Sequence, residues 1–219
     1  WLNQQSLWSR GDDQSFDDYL RGFNANQRRN IKRERKDVSQ AGLTVTPLTG
    51  EQLDLQLMKS MHGFYEQHCA RWGPWGSKYL EERFFETLAA DQRDQVVLFS
   101  AHRGDPHQPV AMSMCVRDQR SLWGRYWGSE EDVDCLHFEV CYYAPIAWAI
   151  EQGLESFDPG AGGSHKRRRG FVARPHASLH RWYHPRMDAL IRAWLPKVNG
   201  LMLEEICLLY TSDAADERN

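Results

Sequence analysis

Apolar residues recur along this chain in two rhythms, and each marks a kind of element. In residues 49–72, Leu53, Leu57, Met61, Phe64 and Tyr65 fall at helical spacing, which predicts a helix ended by Gly-Pro-Trp-Gly. Residues 15–43 read as an earlier helix, with Ser15 able to cap it, Asp17 and Asp18 in its first turn, and Gly42 at its C-terminal end. Residues 77–91 read as a third helix, capped by Ser77. Strand patterns then take over at 95–103, 109–118 and 121–128, separated by Gly-Asp-Pro-His-Gln and Gln-Arg, which predicts an antiparallel meander. Shorter strands are expected at 43–48, 154–160 and 174–183, with the end of another in residues 1–11. A helix over 137–152 stops at Gly153, and a last helix covers 185–198. This order predicts an α/β (α+β) fold, a mixed sheet containing the meander with helices on both faces. No internal repeat or low-complexity tract interrupts it.

Composition narrows the class. With 219 residues, 41% hydrophobic and 12% aromatic, the chain is globular. A net charge of −3 makes no whole-molecule case for nucleic acid. No apolar run reaches the ~18 residues that span a bilayer. Five cysteines at irregular spacing, without a CxxC, fit a reducing, cytoplasmic compartment and point to no structural zinc. The chain starts at Trp1 without Met, so upstream sequence is expected. Residues 207–217, CLLYTSDAADE, match the translation of a transposase sequencing adapter, so 207–219 are read as a non-native tail.

The candidate chemistry gathers where the meander meets the 137–152 helix. His137, Glu139, Tyr142 and Tyr143 supply proton-handling groups within two helical turns. Glu139 and Tyr143 are four apart and share a helix face, whereas His137 and Glu139 are two apart and do not. A helix N-terminus favours neutral His137, as a base requires. The structural alternative is that His137 caps the helix and Glu139 forms an ion pair. Just upstream, strand alternation puts Arg125 and Trp127 on one face and Gly124 and Tyr126 on the other. Tyr126 is either a proton donor lining a groove or a core residue.

Two basic segments follow a different logic. Gly160, Gly162 and Gly163 expose backbone N–H groups beside His165, Lys166 and Arg167, a pattern that suits a phosphate or carboxylate. It is not a Walker loop, because GxxxxGK[ST] does not fit. RRNIKRERKD at 28–37 carries Arg28, Arg29, Lys32, Arg33, Arg35 and Lys36 against Glu34 and Asp37, which reads first as a solvated helix face and second as a track for RNA or a polyanionic lipid precursor. His176, His180 and His184 are spaced by four, but Pro175 and the strand-like run around them break the helix that would align them, so no metal site is expected.

GRYWG followed by LHFEVCYY, then GL, F, GAGGSHK and RGF in order, together with the basic helix, resemble the FemAB-like predicted N-acyltransferases of the GNAT-related superfamily. The resemblance covers residues 16–194 and implies a bilobal protein. This chain would carry the end of a truncated first lobe and its basic connecting helix in 1–48, a GNAT-like acyltransferase lobe in 49–206, and the tail in 207–219. The missing N-terminal lobe would lie upstream. The implied activity is transfer of an acyl or aminoacyl group to an amine, on a small-molecule or lipid-linked precursor of peptidoglycan type, with acyl-CoA or aminoacyl-tRNA as co-substrate and no tightly bound cofactor. His137 or Glu139 would be the base, Tyr126, Tyr142 or Tyr143 the acid, and Arg125 with the Gly160–Arg167 loop would hold substrate. The loop departs from the expected GAQGEHK, with Gly162 for the amide and Ser164 for the acid, which weakens any carboxylate role there. The pyrophosphate loop of CoA-using enzymes is also absent after RYWG, where the four carboxylates of SEEDVD would repel a pyrophosphate. The competing expectation is a non-catalytic module that recognises a cell-wall or peptide ligand in the same groove.

Overall fold

The computed structural model describes residues 1–160 and 164–216. Strand β1 (Leu2–Ser9) leads into α1 (Phe16–Arg21), α2 (Ala25–Gln40), β2 (Thr44–Thr49), α3 (Leu55–Ala70) and α4 (Glu82–Asp91). The meander follows as β3 (Val96–His102), β4 (Pro109–Arg117) and β5 (Ser121–Ser129). A short α5 (Leu136–Phe138) continues through a wide π turn (Glu139–Tyr143) into α6 (Ala144–Glu151), then β6 (Ser156–Asp158), β7 (Val172–Ala177) and α7 (Pro185–Asp216). Helix and strand composition thus match the mixed α/β expectation.

Several boundaries differ from the sequence pattern, those of the first four helices for local reasons. The expected single helix over 15–43 is two helices. Gly22 closes α1, and the Asn24 side chain, on extended backbone, accepts the Gln27 N–H at 2.9 Å to start α2. The expected cap at Ser77 is not used. The Tyr65 hydroxyl accepts the N–H groups of Tyr79 at 2.7 Å and Leu80 at 3.1 Å, so that stretch stays extended and α4 begins at Glu82. Helix α3 starts late, where the Asp54 carboxylate accepts the Leu57 N–H at 2.7 Å. The expected strand over 174–183 is β7, confined to Val172–Ala177. Helix α7 runs past Val198 through residues 207–216.

The chain divides into two compact units. The larger, Ser9–Pro159, holds a five-stranded sheet in the order β2-β3-β4-β5-β6. The first four strands pair antiparallel, and β5 pairs parallel with β6. Every residue of β3 is buried, so both faces are covered. On one face α3 and α4 bring Met61, Phe64, Tyr65 and Phe85 against Leu48, Leu98, Met112 and Met114. The other face carries the π turn and α6, with Trp148 edge-on to Phe99 at 6.2 Å.

The second unit comprises Trp1–Trp8 and the chain from Gly160 onward. Strand β1 pairs antiparallel with β7 from Leu2↔Ala177 to Leu7↔Val172. Helix α7 is tied to this pair by the Leu2 N–H, which donates to Asn199 Oδ1 at 2.9 Å, and by Trp1 edge-on to Trp194 at 5.4 Å.

Candidate functional site

Pro145 sits at the start of α6, has no N–H and crowds the preceding turn, so an ordinary α-helical ladder cannot run through this point. The helix responds with the wide turn, in which the Ala144 N–H reaches back five residues to the Glu139 carbonyl. The buried Ser113 hydroxyl of β4 donates to the Val140 carbonyl at 2.7 Å, satisfying an acceptor inside the turn. Cys135, with φ of 63°, turns the chain into this helix. The segment holding four of the expected catalytic groups therefore contains an irregularity in an otherwise regular helix, of a kind that is frequent at functional sites.

Glu139 is 6% exposed and takes a two-pronged ion pair from α2. Arg35 Nε lies 3.1 and 3.0 Å from its two oxygens, and Nη2 lies 2.9 Å from Oε1. Burial raises the Glu139 pKa, and the Arg35 charge and hydrogen bond oppose that rise without cancelling it. The same guanidinium stacks over the Phe16 ring at 4.4 Å. One residue earlier in α2, Glu34 accepts a hydrogen bond from the hydroxyl of Tyr143, itself fully buried. Glu139 and Tyr143 thus tie α2 to the wide turn; for Glu139 this is the ion pair that the structural alternative expected, whereas the contact of Tyr143 was not anticipated. Glu34 and Arg35 were legible only as part of a charge run.

His137 belongs to a different cluster. Its ring lies 4.5 Å from that of Trp127 and 5.2 Å, edge-on, from that of Tyr142. Trp127 also meets His68, at the end of α3, at 5.6 Å. Burial, then the Arg71 charge, lowers the His68 pKa, which keeps this imidazole neutral. Nothing in the sequence singled out His68; in the last turn of an amphipathic helix it reads as a dipole partner. The ladder from β5 to β6 covers only Ser121–Trp123, so Trp127 stands beyond that pairing, where both histidines reach it.

Tyr126 and Arg125 require corrections. Met114 pairs with Tyr126 and Cys115 with Gly124, so Arg125 is the extra residue of a β-bulge, exposed, and simple alternation stops there. Tyr126 points to the α3 face, 4.8 Å from Tyr65, and burial raises its pKa. Trp127, opposite Ser113, takes the face of the wide turn. Tyr126 is therefore half-buried against the core cluster on the α3 face, while Trp127 beside it carries the contact to His137.

In the other unit, Ser164–Arg169 forms a turn of 3₁₀ helix. Lys166 is 3% exposed and its Nζ donates to the Gly160 carbonyl at 2.7 Å, so its charge closes the loop on itself. Arg169 donates to the His165 carbonyl at 2.9 Å. Burial, then the charges of Arg169 and Lys166, lowers the His165 pKa. Arg167 is half-buried, and Gly162 and Gly163 lie outside the described residues.

A sequence model of the FemAB-like family, described as peptidoglycan biosynthesis/recognition, matches residues 1–214. No curated protein matches the chain. Among solved structures, a conserved protein of unknown function from Bacteroides thetaiotaomicron is similar at 12% identity with a TM-score of 0.47, covering 77% of this chain and 56% of that one. The C-terminal domain of a protein described as a lysylphosphatidylglycerol synthetase from Agrobacterium fabrum is similar at 11% identity with a TM-score of 0.42, covering 76% and 50%. The chain thus spans about half the length of each of these structures.

Proposed function

This chain belongs to the FemAB-like family of peptidoglycan biosynthesis/recognition, and from that premise we propose that it transfers an acyl or aminoacyl group to an amine of a peptidoglycan-type precursor. The observation that carries the reading is the His137 cluster. A half-buried imidazole stands between Trp127 and Tyr142, beside a wide turn that three contacts from other elements hold in place. His137 takes the proton from the attacking ammonium, which frees the amine lone pair. The amine nitrogen bonds to the donor carbonyl carbon, and the bond to the thiolate of acyl-CoA or to the ribose oxygen of aminoacyl-tRNA breaks. Tyr142, buried at 3% exposure with its ring 5.2 Å from that of His137, is the acid in this reading and supplies the leaving group with its proton. Glu139 and Tyr143 position the turn and do not exchange protons with substrate.

The test combines both donors with a panel of amines. His137→Ala should lower the transfer rate by about 10²–10⁴. Glu139→Gln, which keeps the shape but ends the charge pair, should cost far less. Full turnover in a folded His137→Ala protein would remove the base assignment. A second reading, recognition without catalysis, is favoured by one observation: Glu139 and Tyr143 are buried and committed to α2. Binding of a muropeptide with no transfer from either donor would select it.

A further inference from the structure

Helix α2 has two faces with different work. Its inner face buries Ile31 and Val38 and carries Glu34 and Arg35 to the wide turn. Its outer face carries Arg29, Lys32, Arg33 and Lys36, all exposed, at spacings of three, four and seven, which align them in one stripe. Like charges at this spacing destabilise a helix. No acid occupies the stripe, and no ion pair of these four occurs among the described residues. Asp37 is half-buried on the flank, Glu34 is turned to Tyr143, and Asp17 of α1 shares a shallow hollow with Arg21, Arg28 and Lys32. The helix carries six cations against two acids, so +4 resides here and −7 over the rest of the chain.

We propose that this stripe docks the protein on an anionic phospholipid surface. The four cations lie in one row along a helix, an extended arrangement that matches a plane of phosphates. Its exposed positions include no aromatic side chain to stack on a base, which single-stranded RNA recognition uses. It has no large apolar residue to insert either, so the adhesion is electrostatic. Because Glu34 and Arg35 fix the inner face of the same helix to the wide turn, adhesion would hold that turn one helix away from the lipid surface. This inference stands independently of the acyl-transfer reading, since it concerns binding alone.

The experiment is co-sedimentation of the intact protein with phosphatidylcholine vesicles, with and without phosphatidylglycerol. Binding is expected only with phosphatidylglycerol, and it should fall as salt rises. Each cation removed should weaken it about fivefold, so the quadruple variant R29Q/K32Q/R33Q/K36Q should no longer pellet. The variant R83Q/R93Q, which removes two exposed cations elsewhere, should bind as the parent does, and circular dichroism should show all three folded. Three results would overturn the proposal: equal binding to neutral vesicles, full binding by the folded quadruple variant, or stripe-dependent retention of single-stranded RNA without vesicle binding.

Discussion

At Glu139, burial and a guanidinium pull proton affinity in opposite directions, and burial prevails, so its folded pKa lies above the ordinary 4.5. The consequence for stability has a definite sign. Between the ordinary value and the raised one, the folded protein binds a proton that the unfolded chain does not, so lowering the pH through that window stabilises the fold. Wild type should therefore gain stability relative to Glu139→Gln as the pH falls toward 4.5, measured by urea unfolding at a series of pH values. A difference that shrinks on acidification would show that Arg35 outweighs burial. The junction around His137 was legible in the sequence because proton-handling residues crowd there. Their assignment was not, since the partners that commit Glu139 and Tyr143 lie 104 and 109 residues away. His68 was invisible for the same reason: a histidine becomes informative only once Trp127 is seen beside it.

At the scale of elements, strands were easier to read than helix boundaries. Strands β3, β4 and β5 follow directly from apolar runs punctuated by turns, whereas α4 starts late because a hydroxyl from another helix competes for its first amides. The wide turn could not be read at all, because the apolar rhythm of 137–152 continues through it. Two glycines show how packing between elements decides what a position tolerates. A Cβ on Gly128 would lie 2.4 Å from the Phe64 carbonyl oxygen, so β5 approaches the backbone of α3 too closely for any side chain. Gly63, inside α3, faces open space. Gly128→Ala should destabilise by roughly 1–3 kcal/mol, while Gly63→Ala should stabilise by about 0.5–1 kcal/mol through helix propensity. Chemical denaturation of the pair checks both signs, and a neutral Gly128→Ala would mean that α3 can slide away from β5.

For the whole molecule, the pattern of elements gave the mixed α/β class, but the division of the chain was not written in composition. Residues 9–159 form one unit, and the pieces before and after them form the other. The inner stretch contains the covered sheet, the buried aromatic cluster and the His137 site. Expressed alone, residues 9–159 should unfold in a single cooperative transition with the near-ultraviolet signature of packed aromatic rings. An unstructured product would show that the unit depends on the rest. Closure at the seam supports the expectation: the Arg10 amide donates to the Glu155 carbonyl at 2.9 Å, and its side chain donates to the Leu154 carbonyl at 3.0 Å. The stretch is thus buckled to itself at the two places where the chain enters and leaves. In the grammar of chain architecture it is a parenthesis, complete between its brackets, and a parenthesis can be lifted from one sentence and set into another. The His137 site would travel with it, whereas the Lys166 loop, outside the brackets, would stay behind.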